Sequence, residues 1–411
     1  MLVICGNHSC GNLTMVTTDT SSDGFQYLEP ALSPDRSLIA FTLDWAALPP
    51  PRPPDVIPEV RQIAIIPVQT GDRPQPNLAA SGATAVDMMF EGVDLNEEEK
   101  GNPGWIDDET LLVWIKRERG NRLFSVDLTQ TLNNVSQLYA EPDDDEISGL
   151  YWQHADPSIS HDKQWVAFTR FGAEVLDSLH TYTQQAIWVL SLADAGSAPT
   201  PRAFAVTGEV AHLGSPSWSP DGSRIVFYST QDIVGEYGTP GYEIFAVDFD
   251  TTGLAANGEI TLDRNLKQLT HTPGTEGDPL TITNSDPVYT ADGSEILFVS
   301  TRRAPSITLR DRNIWRIPAD GRLDPELLFF SREDDVNPEI ILGGGRTLLF
   351  SSTMGFPTEM LDLLEQETIL RLMSADSTLT ETEAGIEAML ERQELEYFAG
   401  VMSHLYIFSG W

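Results

Sequence analysis

The sequence predicts an all-β chain folded as a β-propeller of four-stranded antiparallel blades. Two observations carry this reading. A strand–turn–strand motif recurs six times along the chain, and further apolar strands after most copies bring each unit to four. Bulk composition agrees with it. Of 411 residues, 41% are hydrophobic, enough for a sizeable core, and the aromatics are dispersed as many small sheets would require. No apolar run approaches the length needed to span a bilayer.

Each copy opens on a proline, runs through a short strand to an Asp-containing turn, and continues into an apolar strand. The copies start at Pro30, Pro103, Pro157, Pro216, Pro287 and Pro338, at intervals between 51 and 73 residues. Their second strands read Leu38–Phe41, Leu111–Trp114, Trp165–Phe168, Ile225–Tyr228, Ile296–Val299 and Leu348–Phe350. Apolar residues on both sides of a strand fit blades that pack on neighbours through both faces. Third strands follow at Leu123–Asp127, Ile187–Leu190, Ile244–Asp248 and Ile314–Ile317, and Lys267–Thr270 is one of the short fourth strands. In Ser219-Pro220-Asp221-Gly222 the proline presets φ, the carboxylate accepts backbone N–H groups and the glycine takes positive φ. These aspartates are therefore read as structural.

The ends fix the blade count. Met1–Cys5, Asn12–Thr18 and Phe25–Leu28 read as second, third and fourth strands of a blade. Its innermost strand would come from the C-terminus, with Glu396–Val401 and Leu405–Ser409 as candidates and Ile369–Met373 in the preceding blade. That gives seven blades, closed by N- and C-terminal strands, in a single domain over 1–411. The alternative is six blades with a partly helical extension over 358–411, because Thr358–Met373 and Ile386–Met402 carry apolar residues at helical spacing.

Pro-Ser-Trp-Ser-Pro-Asp-Gly-Ser-Arg-Ile-Val-Phe at 216–227, with Ile-Trp-Arg-Ile-Pro-Ala-Asp-Gly at 314–321, resembles the repeat of TolB-type, WD40-like propellers. The resemblance runs from about residue 1 to at least residue 352. It implies a non-catalytic scaffold for protein or peptide partners in cell-envelope complexes, and a periplasmic or other extracytoplasmic location. No basic n-region or sufficiently long apolar stretch at Met1–Ile4 marks a signal peptide. The same scaffold carries many activities, so the repeat identifies a fold better than a function.

Charge narrows the partners. With 62 acids against 25 bases the net charge is −37, which repels nucleic acid and anionic membranes and favours basic proteins, peptides or metal ions. Cys5 and Cys10 are a poor zinc signal and read as a short bridge or free thiols. Pro49–Pro54 reads as an extended arm, most simply a stiff spacer.

The first-to-second turns are short. The long connections, Trp45–Arg61, Ala79–Asn102, Ala140–Asp156, Phe171–Gln185, Thr230–Tyr242, His271–Asp286 and Thr301–Arg312, fall on the opposite face, where binding is expected. They hold acidic clusters at Glu91–Glu99, at Asp143, Asp144, Asp145 and Glu146, at Glu276 and Asp278, and at Glu333–Asp335. Asp143–Glu146 is the candidate metal group, with Ca²⁺ as the cofactor its hard oxygen donors would take; otherwise these acids are solvated charge. Immediately before the six prolines stand Glu29, Asn102, Asp156, Ser215, Asp286 and Asn337. Each can bond backbone N–H groups. They are read either as caps where the chain enters the innermost strand or as a polar ring at the channel mouth, with His154 beside Asp156 as an added ligand-binding candidate.

Catalytic motifs are scarce. Gly-x-Ser-x-Gly, the phosphate-cradling Gly-rich loop and His-Glu-x-x-His are all missing from the sequence. The alternative functions are an enzyme acting on a saccharide or peptide in the channel, with His154 and Asp143–Glu146, and a regulatory propeller detached from a larger parent. Oligomeric state is not readable.

Overall fold

The computed structural model describes residues 12–16, 25–45, 61–67, 84–118, 120–141, 150–176, 179–193, 203–210, 212–230, 241–250, 261–272, 282–302, 312–329, 335–340, 346–352 and 404–409. All regular structure in them is β. Six four-stranded antiparallel sheets repeat around an axis. Blade one is Phe25–Leu32, Leu38–Trp45, Gln62–Pro67 and Thr84–Ala85, and blade two is Lys100–Trp105, Thr110–Arg117, Gly120–Asp127 and Val135–Gln137. Blade three is Leu150–Ile159, Trp165–Leu176, Leu179–Ser191 and Ala203–Ala205. Blade four is Leu213–Trp218, Arg224–Ser229, Glu243–Asp248 and Lys267–Gln268, and blade five is Asn284–Tyr289, Glu295–Ser300, Asn313–Pro318 and Glu326–Phe329. Blade six takes Asp335–Ile340, Thr347–Ser352 and His404–Ser409 from one end of the chain and Asn12–Met15 from the other. A small hairpin, Met89–Phe90 with Val93–Asp94, leads into blade two.

The count is six, and the strand assignments near the N-terminus change with it. Phe25–Leu28 is not a fourth strand; it is the start of the innermost strand of blade one, which runs on through Pro30. Asn12–Met15 is the outermost strand of blade six, paired with Tyr406–Ser409, so the C-terminus supplies a third strand and the N-terminus the fourth. Met1–Cys5, Ile369–Met373, Glu396–Val401, the two helical segments, both cysteines and Pro49–Pro54 lie outside the described residues.

Blades adhere through apolar layers. Tyr27, Ile39 and Phe41 of blade one pack with Leu349 and Leu405 of blade six. On the other face of blade one, Ala40 and Ile63 join Trp105, Leu111 and Val113 of blade two. Comparable layers join blades two and three, three and four, and four and five. Between blades five and six Phe329 sits with its ring centre 5.0 Å from that of Phe350 and 5.2 Å from that of Phe408. Two tryptophans stitch inner strands together: Trp105 donates its indole N–H to Ala31 O at 3.0 Å, and Trp218 donates to Ser158 O at 3.1 Å.

The turns behave as the sequence chemistry requires. Asp221 accepts Ser219 Oγ–H at 2.7 Å and Ser223 N–H at 3.0 Å, and Gly222 has φ +70°. Asp35, Asp162 and Asp292 do the same in their copies. Where glycine is missing, Arg36 and Lys163 adopt the positive φ. The described residues of Phe171–Gln185, expected as a loop, are instead strand: Trp165–Leu176 and Leu179–Ser191 form one long hairpin in blade three.

Candidate functional site: the channel ring

The six innermost strands surround a channel with a cavity of about 470 Å³. In every blade the pairing between first and second strands slips by one residue, between Leu28 and Ala31, Gly101 and Gly104, Ala155 and Ser158, Gly214 and Ser217, Ser285 and Val288, and Val336 and Glu339. The two residues left unpaired are the polar residue singled out above and its proline. Proline has no N–H to give to the ladder, so a bulge is where it fits within a strand. The residue before proline avoids the right-handed helical region. Here all six adopt left-handed φ: 52° at Glu29, 46° at Asn102, 50° at Asp156, 49° at Ser215, 48° at Asp286 and 50° at Asn337. Such backbone is costly for residues other than glycine, and six repeats of it at one level mark a conserved geometry of the ring rather than an accident of one loop. They lie within the inner strands and line the channel together.

Charge alternates around this ring. Blades one, three and five present Glu29, Asp156 and Asp286; blades two, four and six present Asn102, Ser215 and Asn337. Hydrogen bonds run along it. Asn337 Oδ1 accepts Glu29 N–H at 3.4 Å, and Glu29 Oε2 accepts Asn102 N–H at 2.7 Å. Asp156 Oδ2 accepts Ser215 N–H at 3.1 Å, while Ser215 Oγ–H donates to Asp286 Oδ1 at 3.0 Å. Second-strand side chains buttress it from behind. Thr42 donates to Glu29 at 2.6 Å, Trp114 Nε1–H to Asn102 Oδ1 at 2.8 Å, and Thr169 to Asp156 at 3.4 Å.

All three carboxyls titrate above the ordinary carboxylate range. Burial is the main cause at each, opposed by the hydrogen bonds just named. Asp156 reaches about 6, with the charges of Glu29 and Asp286 adding to the effect of burial. Tyr228, whose hydroxyl lies behind the ring, is raised as well, first by burial and then by Asp156 and Asp286. Arg61 offsets part of the effect at Glu29 and Arg312 part of that at Asp286, while the charges acting on Asp156 are both negative.

His154 does not join it. Its side chain is buried between blades two and three, where Nε2 meets Glu141 Oε2 at 3.1 Å, and it is absent from the channel lining. Burial lowers its pKa, and Nδ1 has no hydrogen-bond partner. Burial would raise Glu141, but hydrogen bonds from His154 and Arg170 outweigh it and hold the carboxyl at about 2. Arg170 in turn lies 3.6 Å from the ring centre of Trp152 and 4.3 Å from that of Trp188. This is an interblade clamp, sealed from the channel.

Asp143, Asp144, Asp145, Glu146, Glu276 and Asp278 lie outside the described residues. In the Glu91–Glu99 cluster Glu99 pairs with Lys116 at 2.9 Å in the open, and Asp94 caps Asn96 N–H at 2.8 Å, as solvated loop acids do. Among the described residues no three His, Cys, Asp or Glu side chains converge closely enough to hold a metal ion.

One channel-lining residue was not singled out in the sequence reading. Two positions beyond the ring the inner strands present Ala31, Gly104, Ser158, Ser217 and Val288, all small or short, and then Glu339. Its signal was available as the odd member of a small-residue column.

Fold and site together define a six-bladed β-propeller with carboxylates lining its channel. No family model matches the chain, and no curated protein does. Solved structures similar to it include a putative TolB from Agrobacterium tumefaciens, at 21% identity and TM-score 0.42 over 66% of this chain and 73% of that one. A puromycin-hydrolyzing peptidase from Mycobacterium tuberculosis matches at 15% identity and TM-score 0.45, over 86% of this chain and 49% of the peptidase, so this chain spans about half its length. The β-propeller domain of the Trilobed protease from Pyrococcus furiosus matches at 10% identity and TM-score 0.39, over 80% and 79%. At these identities the likeness concerns fold alone.

Proposed function

We propose that the protein works by binding, as a scaffold that takes a cationic segment of a protein or peptide at the loop-side mouth of its channel. One observation carries this reading: three carboxylates on alternate blades line a common lumen, and burial draws each of them upward in pKa. An ammonium or guanidinium group entering there would relieve their mutual repulsion, and low-dielectric walls strengthen the attraction. The alternation with Asn102, Ser215 and Asn337 adds neutral hydrogen-bonding groups between the charges. In blades two, four, five and six the ring residue is the third of its inner strand.

The test is calorimetric titration of short basic and acidic peptides into the protein and into the D156N/D286N double variant. A basic peptide should bind the parent and lose at least tenfold in affinity to the double variant. Equal binding of acidic and basic peptides, or no effect of the double substitution, would refute the reading.

A further inference from the structure

Resting on the cationic reading of the ring, the channel carries a second feature that specifies the shape of what enters it. Glu339 stands on the inner strand of blade six, two residues beyond Asn337, and lines the same cavity as Glu29, Asp156 and Asp286. The three ring carboxylates are each tied down by hydrogen bonds from Thr42 and Asn102, Ser215 and Thr169, or Ser215 and Ser285. No described residue gives Glu339 a hydrogen bond. Its charged neighbour is Lys163, whose ammonium donates instead to Trp105 O at 2.8 Å. Burial raises the Glu339 carboxyl to about 7 even with that lysine present.

Ala31, Gly104, Ser158, Ser217 and Val288 occupy the corresponding positions on the other blades, so space remains in front of Glu339. Bulky side chains begin one residue further, with Leu32, Trp105, Ile159, Trp218, Tyr289 and Ile340. The channel is therefore lined by small residues opposite Glu339 and carries carboxyl groups at both levels. A two-residue step along a strand is roughly 6–7 Å. An aliphatic chain of four or five carbons covers that span between terminal nitrogens.

We propose that the channel is a site for a slender linear dication, with one ammonium on the Glu29–Asp156–Asp286 ring and the second on Glu339. The ligand class is an aliphatic diamine, or a peptide end on which an α-ammonium and a lysine side chain present the same spacing. Both sources offer two ammonium groups joined by a flexible apolar stem, and such a stem suits the small-residue walls.

The experiment compares putrescine with butylamine, which has the same carbon chain and a single charge, by calorimetry on the full chain. The ligands are titrated into the parent, E339Q and D156N/D286N, with thermal melts to confirm that each variant is folded. Glutamine keeps the shape of Glu339, and the melts separate lost binding from lost fold. The expected result is that putrescine binds the parent at least tenfold more tightly than butylamine, and that this advantage disappears in E339Q. Equal binding of the two amines by the parent, or an advantage that survives in E339Q, overturns the two-level site while leaving the ring reading intact. If neither amine binds but a basic peptide does, and binds E339Q as tightly as the parent, the dication site is again overturned. If amines and basic peptides all fail to bind, the ring reading fails with it.

Discussion

At the scale of single residues, Asp156 makes the most direct claim about pH. Its carboxyl titrates at about 6 in the folded chain against an ordinary 3.8, chiefly because burial disfavours the charge, with Glu29 and Asp286 facing it. The folded state therefore holds that proton more tightly than the unfolded state does. The stability from this group is full below the ordinary value and is lost as pH rises toward 6, about 3 kcal/mol at the most. Asp35, Asp221 and Asp292 act in the opposite sense, because hydrogen bonds from the neighbouring Ser and Thr groups lower them. Their contribution is present above the ordinary carboxylate range and lost below it. Stability should peak in the mildly acidic range between these effects. D156N should melt higher than the parent at pH 7.5, with the gap closing by pH 4.5; a gap independent of pH would contradict the assignment. The six ring positions were legible in the sequence because each precedes a proline. Their left-handed backbone was not, since nothing in the residue types Glu, Asn, Asp and Ser demands it.

Secondary-structure elements explain both what the sequence revealed and what it concealed. The Asp turns were readable because their chemistry is local, within five residues. The N-terminal strands were misread because the bulge at Glu29-Pro30 breaks the alternation within Phe25–Leu32, so one strand looked like two. His154 looked available because sequence shows Asp156 beside it and does not show Arg170 of the next strand and Glu141 of the preceding connection closing over it. Close packing at the bulge can be tested directly. A Cβ at Gly101 would fall 2.7 Å from the Trp114 ring, which Asn102 holds in place. Gly101→Ala should therefore cost about 1–3 kcal/mol in urea denaturation. An unchanged midpoint would mean that the indole swings freely. Between blades five and six the contact rests on three phenylalanines, so Phe350→Ala should cost about 3–5 kcal/mol by the same measurement. A loss below 1 kcal/mol would show that the interface carries little of the stability.

For the molecule as a whole, charge and closure are the governing facts. A net charge of −37 spread over a ring-shaped body attracts cations from a distance as well as in the channel. Association of a basic peptide should slow markedly as ionic strength rises from 0.05 to about 0.5 M, where the screening length contracts to a few ångströms. A rate indifferent to salt would confine the attraction to short-range contacts. Closure is equally testable. Removing residues 1–16 takes away the fourth strand of blade six and exposes the edge of His404–Ser409. The truncated chain should lose cooperativity in thermal unfolding and associate through that edge, as sedimentation would detect.

The pairing of Asn12–Met15 with Tyr406–Ser409 also sets a timetable. On the ribosome Asn12–Met15 must wait for Tyr406–Ser409 to emerge before it finds its partner. Until then blades one to five can stack in order of synthesis, but the circle stays open and one sheet edge goes begging. The slowest step in refolding should accordingly be a single long-range event, common to every blade, whose rate depends on how soon two distant ends meet.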